Sequence, residues 1–210
     1  MRLPMLALLL ASLLQAQPAP AATVTPAPSS TPRAGTVQVA LTTDQGRIVL
    51  ELEKAAAPIT TANFLRYVDG RRLDGIVFYR TVKVAPDFGF IQFGVQNEPK
   101  RVLPPIRHEP STLTGVKHTT GAISLARNEP GSGRGDFTIN VGNLADLDAD
   151  PAKPGDNLGY AAFGHVVEGM DVVKRILDSA TATDGKGPFK GEMLAMPVKV
   201  VSARRLATAP

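Results

Sequence analysis

Cysteine and tryptophan are absent from this chain of 210 residues, and the missing cysteine excludes several kinds of site at once. Without cysteine there is no thiol nucleophile, no disulfide and no cysteine to carry a lipid anchor. Lysine and arginine never run for more than two residues and form no platform with aromatic side chains, which argues against nucleic-acid binding. The Gly-x-Ser-x-Gly motif is also absent, which argues against a serine hydrolase.

Metal ligands are equally sparse in the sequence. The three histidines are too dispersed to indicate a shared metal site, namely His108, His118 and His165. Residues 146–150 begin like a calcium-binding loop, but Pro151 stands where glycine is required and Asn157 where the closing glutamate belongs. We therefore predict no metal and no cofactor, and we interpret this segment as a solvated loop.

The first 21 residues have the three-part form of a secretory signal peptide. Arg2 precedes an apolar run at 3–14, which is shorter than the roughly 20 residues that span a bilayer. Small residues then offer cleavage after Ala16 or Ala21. We predict an exported, periplasmic protein that is not inserted in the membrane after cleavage.

The rest of the chain divides into a tether, one domain and a short tail. Residues 22–35 are rich in proline, alanine, serine and threonine and cannot bury enough apolar surface to order, which predicts a disordered tether. Residues 36–206 form one domain, large enough for a full hydrophobic core, and 207–210 are the tail. Two of the four net positive charges lie before residue 36, so the high isoelectric point indicates no particular partner. We expect a monomer.

Hydrophobic periodicity predicts many short strands and two helices. Alternating apolar runs at 37–43 and 47–52 flank a glycine turn and predict a β-hairpin. Helices are predicted at 58–70, which begins with proline, and at 170–177. Further strands are predicted at 76–81, 90–93, 122–126, 137–141, 160–166 and 197–206. This pattern favours a mainly β fold, a closed antiparallel barrel.

Aromatic residues are concentrated around one arginine and one glutamine. Residues 78–94 hold four of the eight phenylalanines and one of the three tyrosines, together with Arg80 and Gln92. Arginine keeps its proton near neutral pH, so a guanidinium on an apolar wall indicates electrostatic assistance rather than proton transfer. Alternation puts Phe90 and Gln92 on one face of the strand and Phe93 on the core side. A salt-bridged surface arginine is the alternative interpretation of Arg80, and a satisfied mid-strand amide that of Gln92.

Five segments, in the same order, resemble the cyclophilin family of peptidyl-prolyl cis-trans isomerases. FYR at 78–80 resembles the family's FHR, FIQFG at 90–94 its FMIQGG, and GAISLAR at 121–127 its GxLSMAN or GxLSMAR. GDFTIN at 135–140 resembles SQFFI, and FGHVVEGMDVV at 163–173 is very close to FGKVVEGMDVV. The resemblance covers nearly the whole predicted domain. It implies an eight-stranded antiparallel barrel capped by two α-helices, with the substrate groove on its outer face.

The resemblance also implies an isomerase that accelerates rotation about X-Pro bonds in proline-containing, unfolded polypeptides while exported proteins fold. It gives the catalytic role to Arg80 and substrate orientation to Gln92. The strand that pairs with the substrate backbone falls at Ala126 and Arg127, and Tyr160 lies at the groove. Apolar walls around the proline are expected from Phe88, Phe90, Phe137 and Leu158.

Several positions depart from the family pattern. Thr138 stands where the proline pocket has a second phenylalanine, Asp136 replaces a glutamine, and the loop before Tyr160 lacks the usual tryptophan or phenylalanine. The connector between Arg80 and Gln92 is also longer than usual. These departures predict a shallower and more polar pocket. They leave a second function open, a non-enzymatic or weakly active proline-peptide-binding chaperone on the same scaffold.

Overall fold

A computed structural model describes residues 32–183 and 189–207. The predicted signal peptide, most of the predicted tether and the last three residues of the tail lie outside the described residues. Between the longer elements lie a one-turn helix and a 3-10 turn at Ala145–Leu147. The strands are β1 Val37–Thr43, β2 Gly46–Leu52, β3 Val77–Ala85, β4 Phe88–Gly94, β5 Ala122–Leu125, β6 Asp136–Val141, β7 Ala161–Glu168 and β8 Met193–Arg205. The helices are α1 Pro58–Asp69, α2 Ser111–Thr114 and α3 Met170–Leu177.

The strands close into an antiparallel barrel in the order β1-β2-β7-β5-β6-β4-β3-β8. β1 and β2 form the predicted hairpin, in which Leu41 pairs with Ile48. β8 pairs with both β1 and β3 and thereby closes the barrel. The predicted mainly β fold, a closed eight-stranded antiparallel barrel with two substantial helices, is confirmed.

Alternate residues of each strand fill the barrel interior. On β4, Ile91 and Phe93 are fully buried, whereas Phe90 and Gln92, which alternate with them, are only partly buried. This confirms the predicted alternation, since successive side chains of a strand point to opposite faces. Phe93 lies 5.7 Å from Phe137, and Phe64 of α1 meets the same ring edge-on at 4.8 Å. The core is therefore an aromatic cluster shared between strands and helix.

Both predicted helices are present and pack on the barrel through apolar faces. α3 buries Val172, Val173, Ile176 and Leu177. It begins after Gly169, whose φ of 88° places a Cβ 2.2 Å from the carbonyl oxygen of Arg47, so this turn requires glycine. None of the described helices is long and apolar enough to cross a bilayer.

A distant carboxylate caps the N-terminus of α1. The residue before this helix, Ala57, offers no side-chain cap. Instead the buried Glu109 accepts hydrogen bonds from the backbone N–H groups of Ile59 at 3.1 Å and Thr60 at 2.6 Å. A carboxylate there also meets the positive end of the helix dipole. Contacts across the fold, and not only the local sequence, stabilise the start of α1.

Two regions differ from the sequence-based expectations. β3 and β4 extend until Ala85 pairs with Phe88, so the long connector between Arg80 and Gln92 is a lengthened hairpin. β8 begins at Met193, ahead of its predicted start at 197. The one-turn helix α2 lies between β4 and β5, where no helix was predicted. These differences arise because strand pairing in the barrel adds residues whose own sequence is not periodic.

Candidate active site

A cavity of about 860 Å³ lies on the outer face of the barrel. A row of residues on adjacent strands runs across it. Arg80 on β3 pairs with Gln92 on β4, Gln92 pairs with Thr138 on β6, and Thr138 pairs with Ser124 on β5. Met193 of β8 pairs with Arg80 and extends the row on the other side. Barrel register therefore lines up residues that are far apart in the sequence.

Arg80 is held by two acceptors. Its Nη1 donates to Oε1 of Gln92 at 2.8 Å, while Nε and Nη2 both reach Oε2 of Glu192, at 2.8 and 2.6 Å. Its Cζ lies 4.2 Å from the ring centroid of Phe189 and 5.5 Å from that of Phe90. Among the described residues Arg80 donates no other hydrogen bond, so part of its five N–H groups has no hydrogen-bond acceptor there.

Arg127 lies at the β5 end of the cavity, and all of its guanidinium nitrogens donate hydrogen bonds to protein acceptors. Its Nε and Nη2 donate to the carbonyl oxygen of Gly159, its Nη1 to that of Asn128, and both terminal nitrogens to the carboxylate of Asp156. The side chain is only 6% exposed, and its Cζ lies 5.2 Å from the ring centroid of Tyr160. These hydrogen bonds lower the pKa of Asp156 to about 2. Arg127 thus fixes the loop that carries Tyr160.

Asp136 is a carboxylate in the cavity wall without a cation partner among the described residues. Its Oδ1 accepts hydrogen bonds from the Tyr79 hydroxyl and from the backbone N–H of Gln96, each at 3.0 Å. Burial raises the pKa of Asp136, and it also raises the pKa of the Tyr79 phenol. Within 32–183 and 189–207, no three histidine or carboxylate side chains lie close enough together to hold a metal ion.

Six of the nine predicted site residues line the cavity: Arg80, Phe90, Gln92, Ala126, Arg127 and Tyr160. Both interpretations of Arg80 describe part of its environment, because it is salt-bridged and also lines the cavity. Gln92 is a satisfied amide, and its partner is this same arginine. The segment 131–135, interpreted from its glycines as the groove's rim, contributes Ser132 and Arg134 to the lining.

Three predicted apolar walls lie outside the cavity. Phe137 is wrong as a wall residue, because alternation on β6 sends it into the core and Thr138 outward. Phe88 lies at the far end of the lengthened hairpin, against Gly142, where an added Cβ would come within 2.5 Å of its ring. Leu158 is also absent from the lining.

Several residues at the site were not predicted from the sequence, and four of them lie around the polar row. Leu147, Phe189 and Met193 line the cavity, and Glu192 holds Arg80. Phe189 had a sequence signal that could have been used, since it is an isolated ring in a segment of glycine, lysine and proline. Glu192 had none, because its contact with Arg80 spans 112 residues and depends on the β3–β8 register.

Comparison with known proteins agrees with this geometry. The sequence profile of the family described as cyclophilin type peptidyl-prolyl cis-trans isomerase/CLD matches residues 38–204. The chain belongs to this family. The cyclophilin is 38% identical to peptidyl-prolyl cis-trans isomerase cyp18 of Streptomyces antibioticus over 172 residues, which covers 80% of this chain and 98% of the relative. It is 34% identical to peptidyl-prolyl cis-trans isomerase A of Dickeya dadantii over 170 residues, 79% of this chain and 83% of the relative. At this similarity over most of both chains, the protein is an isomerase of the same class.

Solved structures share the fold. The crystal structure of a cyclophilin type peptidyl-prolyl cis-trans isomerase from Cryptosporidium parvum has a TM-score of 0.67 and 17% identity, covering 83% of this chain and 99% of that one. A second structure of that protein, in the presence of the dipeptide Ala-Pro, has a TM-score of 0.65. At such low identity the likeness concerns the barrel and its helices only.

Proposed function

We propose that Arg80 accelerates rotation about X-Pro bonds by stabilising the twisted amide, and that the substrates are exported proteins in the course of folding. An X-Pro bond rotates over a barrier of roughly 18–20 kcal/mol, because rotation breaks the amide resonance. In the twisted state the prolyl nitrogen regains a lone pair that accepts a hydrogen bond. A donor placed at that point binds the twisted form more tightly than the planar one and lowers the barrier without covalent chemistry.

The observation that carries this proposal is that Arg80 has N–H groups without a hydrogen-bond acceptor among residues 32–183 and 189–207. Hydrogen bonds to Gln92 and Glu192, together with the salt bridge to Glu192, fix the guanidinium in position while part of its donor capacity is left for a ligand. The Ala-Pro dipeptide used with the C. parvum structure supports a proline-containing ligand for this fold.

Apolar side chains around Arg80 support the same mechanism. Phe90, Leu147 and Met193 line the cavity beside the polar row. Such walls displace water that would otherwise hydrogen-bond to the planar, more polar amide and stabilise the ground state. A guanidinium also gains electrostatic strength where water is scarce.

The exported setting rests on the sequence of the N-terminal segment. A signal peptide at 1–21, cleaved after Ala16 or Ala21, followed by a tether at 22–35, would deliver a monomeric domain to the periplasm. Expression of the full chain in a bacterial host, fractionation, and mass spectrometry of the periplasmic product test this. A full-length product retained in the cytoplasm contradicts export.

The mechanism is tested by Arg80→Ala in a protease-coupled assay on an Ala-Pro peptide. Loss of one preorganised donor lowers kcat/KM roughly 100- to 1,000-fold, or about 2.7–4 kcal/mol. Arg204→Ala is the matched control, because Arg204 is also an arginine paired with a carboxylate, Asp74, but lies outside the cavity. If the Arg80 variant keeps kcat/KM near that of the parent, the electrostatic mechanism is wrong.

Proline-peptide binding with weak turnover is a second candidate. Thr138 at the centre of the row makes the pocket more polar, and Glu192 offsets part of the charge of Arg80. Titration of the same peptide followed by NMR separates binding from turnover. Tight binding with little acceleration favours a chaperone role, whereas exchange of the cis and trans signals faster than in free peptide favours the enzyme.

A further inference from the structure

The chain just before β8 contacts Arg80 on two sides. Oε2 of Glu192 accepts a hydrogen bond from Nε and lies 2.6 Å from Nη2 in a salt bridge. The ring of Phe189 lies 4.2 Å from Cζ, within the distance at which an aromatic face attracts a cation. Both contacts come from one short segment, and we name this pair, Phe189 and Glu192, the Arg80 clamp.

Strand pairing places the clamp. Met193 pairs with Arg80 in the β3–β8 ladder, and the backbone N–H of Thr81 donates to the carbonyl oxygen of Glu192 at 2.8 Å. The backbone of the clamp segment is therefore tied to the strand that carries Arg80. The strand pairing therefore sets the position along β3 at which the side chains of the Arg80 clamp contact the guanidinium.

We propose that Glu192, assisted by Phe189, is a positioning residue for Arg80, an inference that rests on the proposed catalytic role of that arginine. Gln92 alone would hold the guanidinium through a single hydrogen bond at Nη1. One bond at one end of a planar group leaves it free to swing about that bond. The second contact, at Nε and Nη2, fixes the plane and decides which N–H groups remain available to the substrate.

The acceptor function and the negative charge of Glu192 have opposite consequences. As an acceptor the carboxylate orients the donors of Arg80, which assists the reaction. As an anion 2.6 Å from Nη2 it weakens the field of the cation, which opposes the reaction. The positioning proposal requires the first consequence to dominate. Glu192→Gln distinguishes the two, because glutamine keeps an oxygen acceptor and loses the charge.

The kinetic test compares Glu192→Ala, Glu192→Gln and Lys190→Ala with the full chain. We expect Glu192→Ala to lower kcat about 10-fold with KM within about two-fold, because a misoriented donor harms the transition state more than substrate binding. Glu192→Gln should recover most of that loss. Lys190, exposed in the same segment, controls for general disturbance of the loop. A kcat in Glu192→Ala that equals or exceeds that of the parent, or a Glu192→Gln variant as slow as Glu192→Ala, overturns the proposal.

A spectroscopic readout separates this inference from the catalytic role of Arg80. The Nε–H signal of Arg80, assigned by its loss in Arg80→Ala, should exchange slowly with water in the parent and in Glu192→Gln, and quickly in Glu192→Ala. Equal exchange in all three overturns the clamp. If Arg80→Ala retains full activity while the Nε–H signal still depends on Glu192, the proposed mechanism fails and the structural contact stands.

Discussion

Two arginines occupy opposite ends of the cavity, and they use their five N–H groups differently. Arg127 directs all of its donors to protein acceptors, including the carbonyl oxygen of Gly159 and the carboxylate of Asp156. Arg80 donates one hydrogen bond to Gln92 and one to Glu192, meets Glu192 also in a salt bridge, and leaves the rest of its N–H groups without a hydrogen-bond acceptor among the described residues. Each forms a salt bridge and each lies near an aromatic ring, so pairing with a carboxylate does not separate a structural arginine from a catalytic one.

The difference lies in what remains after pairing. A saturated guanidinium fixes the loop that it binds, whereas a guanidinium with donors left over can bind a ligand at little reorganisation cost. Sequence motifs assigned both residues to the site, one as catalytic and one as substrate-binding. The number of N–H groups that donate to protein acceptors distinguishes the roles that we propose for the two arginines.

Exchanging each arginine for alanine provides the largest expected contrast. Arg80→Ala should lower kcat/KM roughly 100- to 1,000-fold while changing the free energy of unfolding by less than about 1 kcal/mol, since its salt bridge is partly exposed. Arg127→Ala should lower the free energy of unfolding by about 1–3 kcal/mol, because the partly buried carbonyl oxygen of Gly159 loses both of its donors from this side chain. Urea unfolding and the coupled assay measure the two quantities. If kcat falls equally in the two variants, the proposed difference in role between Arg80 and Arg127 is wrong.

The polar centre of the row between the two arginines is tested by Thr138→Val. Its Oγ1 lies 2.8 Å from Oγ of Ser124, which is buried. A methyl group in place of the hydroxyl should lower KM for a proline peptide about three- to four-fold, from the burial of one further carbon at about 0.8 kcal/mol.

The same substitution should lower the free energy of unfolding by about 1 kcal/mol, because Ser124 loses its partner. The double variant Ser124→Ala with Thr138→Val removes both hydroxyls and should recover that loss. An unchanged KM in Thr138→Val would show that the polarity of this position does not limit proline binding.

Asp136 extends the comparison to a carboxylate that has no cation partner in the described part of the chain and whose Oδ1 already accepts two hydrogen bonds. Burial raises its pKa, so the folded state binds this proton more readily than the unfolded state, and the carboxylate costs stability as pH rises through that range. Asp136→Asn keeps the Oδ1 acceptor for Tyr79 and Gln96 and should raise the free energy of unfolding at pH 7. The gain should shrink in acid, where both proteins are neutral at this position. Urea unfolding at several pH values measures it, and a pH-independent difference contradicts the account.

Acid should affect the two ends of the cavity unequally. At the Arg127 end, burial lowers the pKa of His108, whose Nε2 is hydrogen-bonded to the carbonyl oxygen of Leu158 at 3.1 Å. A histidine with a lowered pKa gives stability that is complete above about pH 6.5 and is lost as the pH falls below it.

At the Arg80 end, the proposed mechanism uses hydrogen-bond donors and transfers no proton, so kcat/KM should stay nearly flat between about pH 6 and 8. Urea midpoints and initial rates measured across this range test both statements. A sharp inflection in kcat/KM near pH 6.5 would assign a role to a histidine instead.

Local sequence patterns were sufficient to predict the elements in which apolar and polar residues alternate with a regular period. The β1–β2 hairpin, α1 and α3 were predicted because period-two and period-three spacing is a property of neighbouring residues. Phe90 and Phe93 were assigned to opposite sides for the same reason. Phe137 was assigned to the cavity wall from its place in the family motif. The alternation along β6 instead turns Phe137 to the core and Thr138 to the outer face. The extent of β8 was missed because pairing partners, and not its own periodicity, define its start.

The sequence by itself determined that a mainly β domain places one arginine and one glutamine among aromatic residues, because these features lie within a few residues of each other. Only the tertiary structure brings Glu192 to Arg80, which is 112 residues away in the sequence. It also brings Glu109 to the N-terminus of α1, 49 residues from Thr60. These contacts depend on strand register and on the packing of the loops around the barrel. Neither contact can be predicted from the spacing of neighbouring residues, because the sequence around a carboxylate does not show whether it binds a distant residue or faces water.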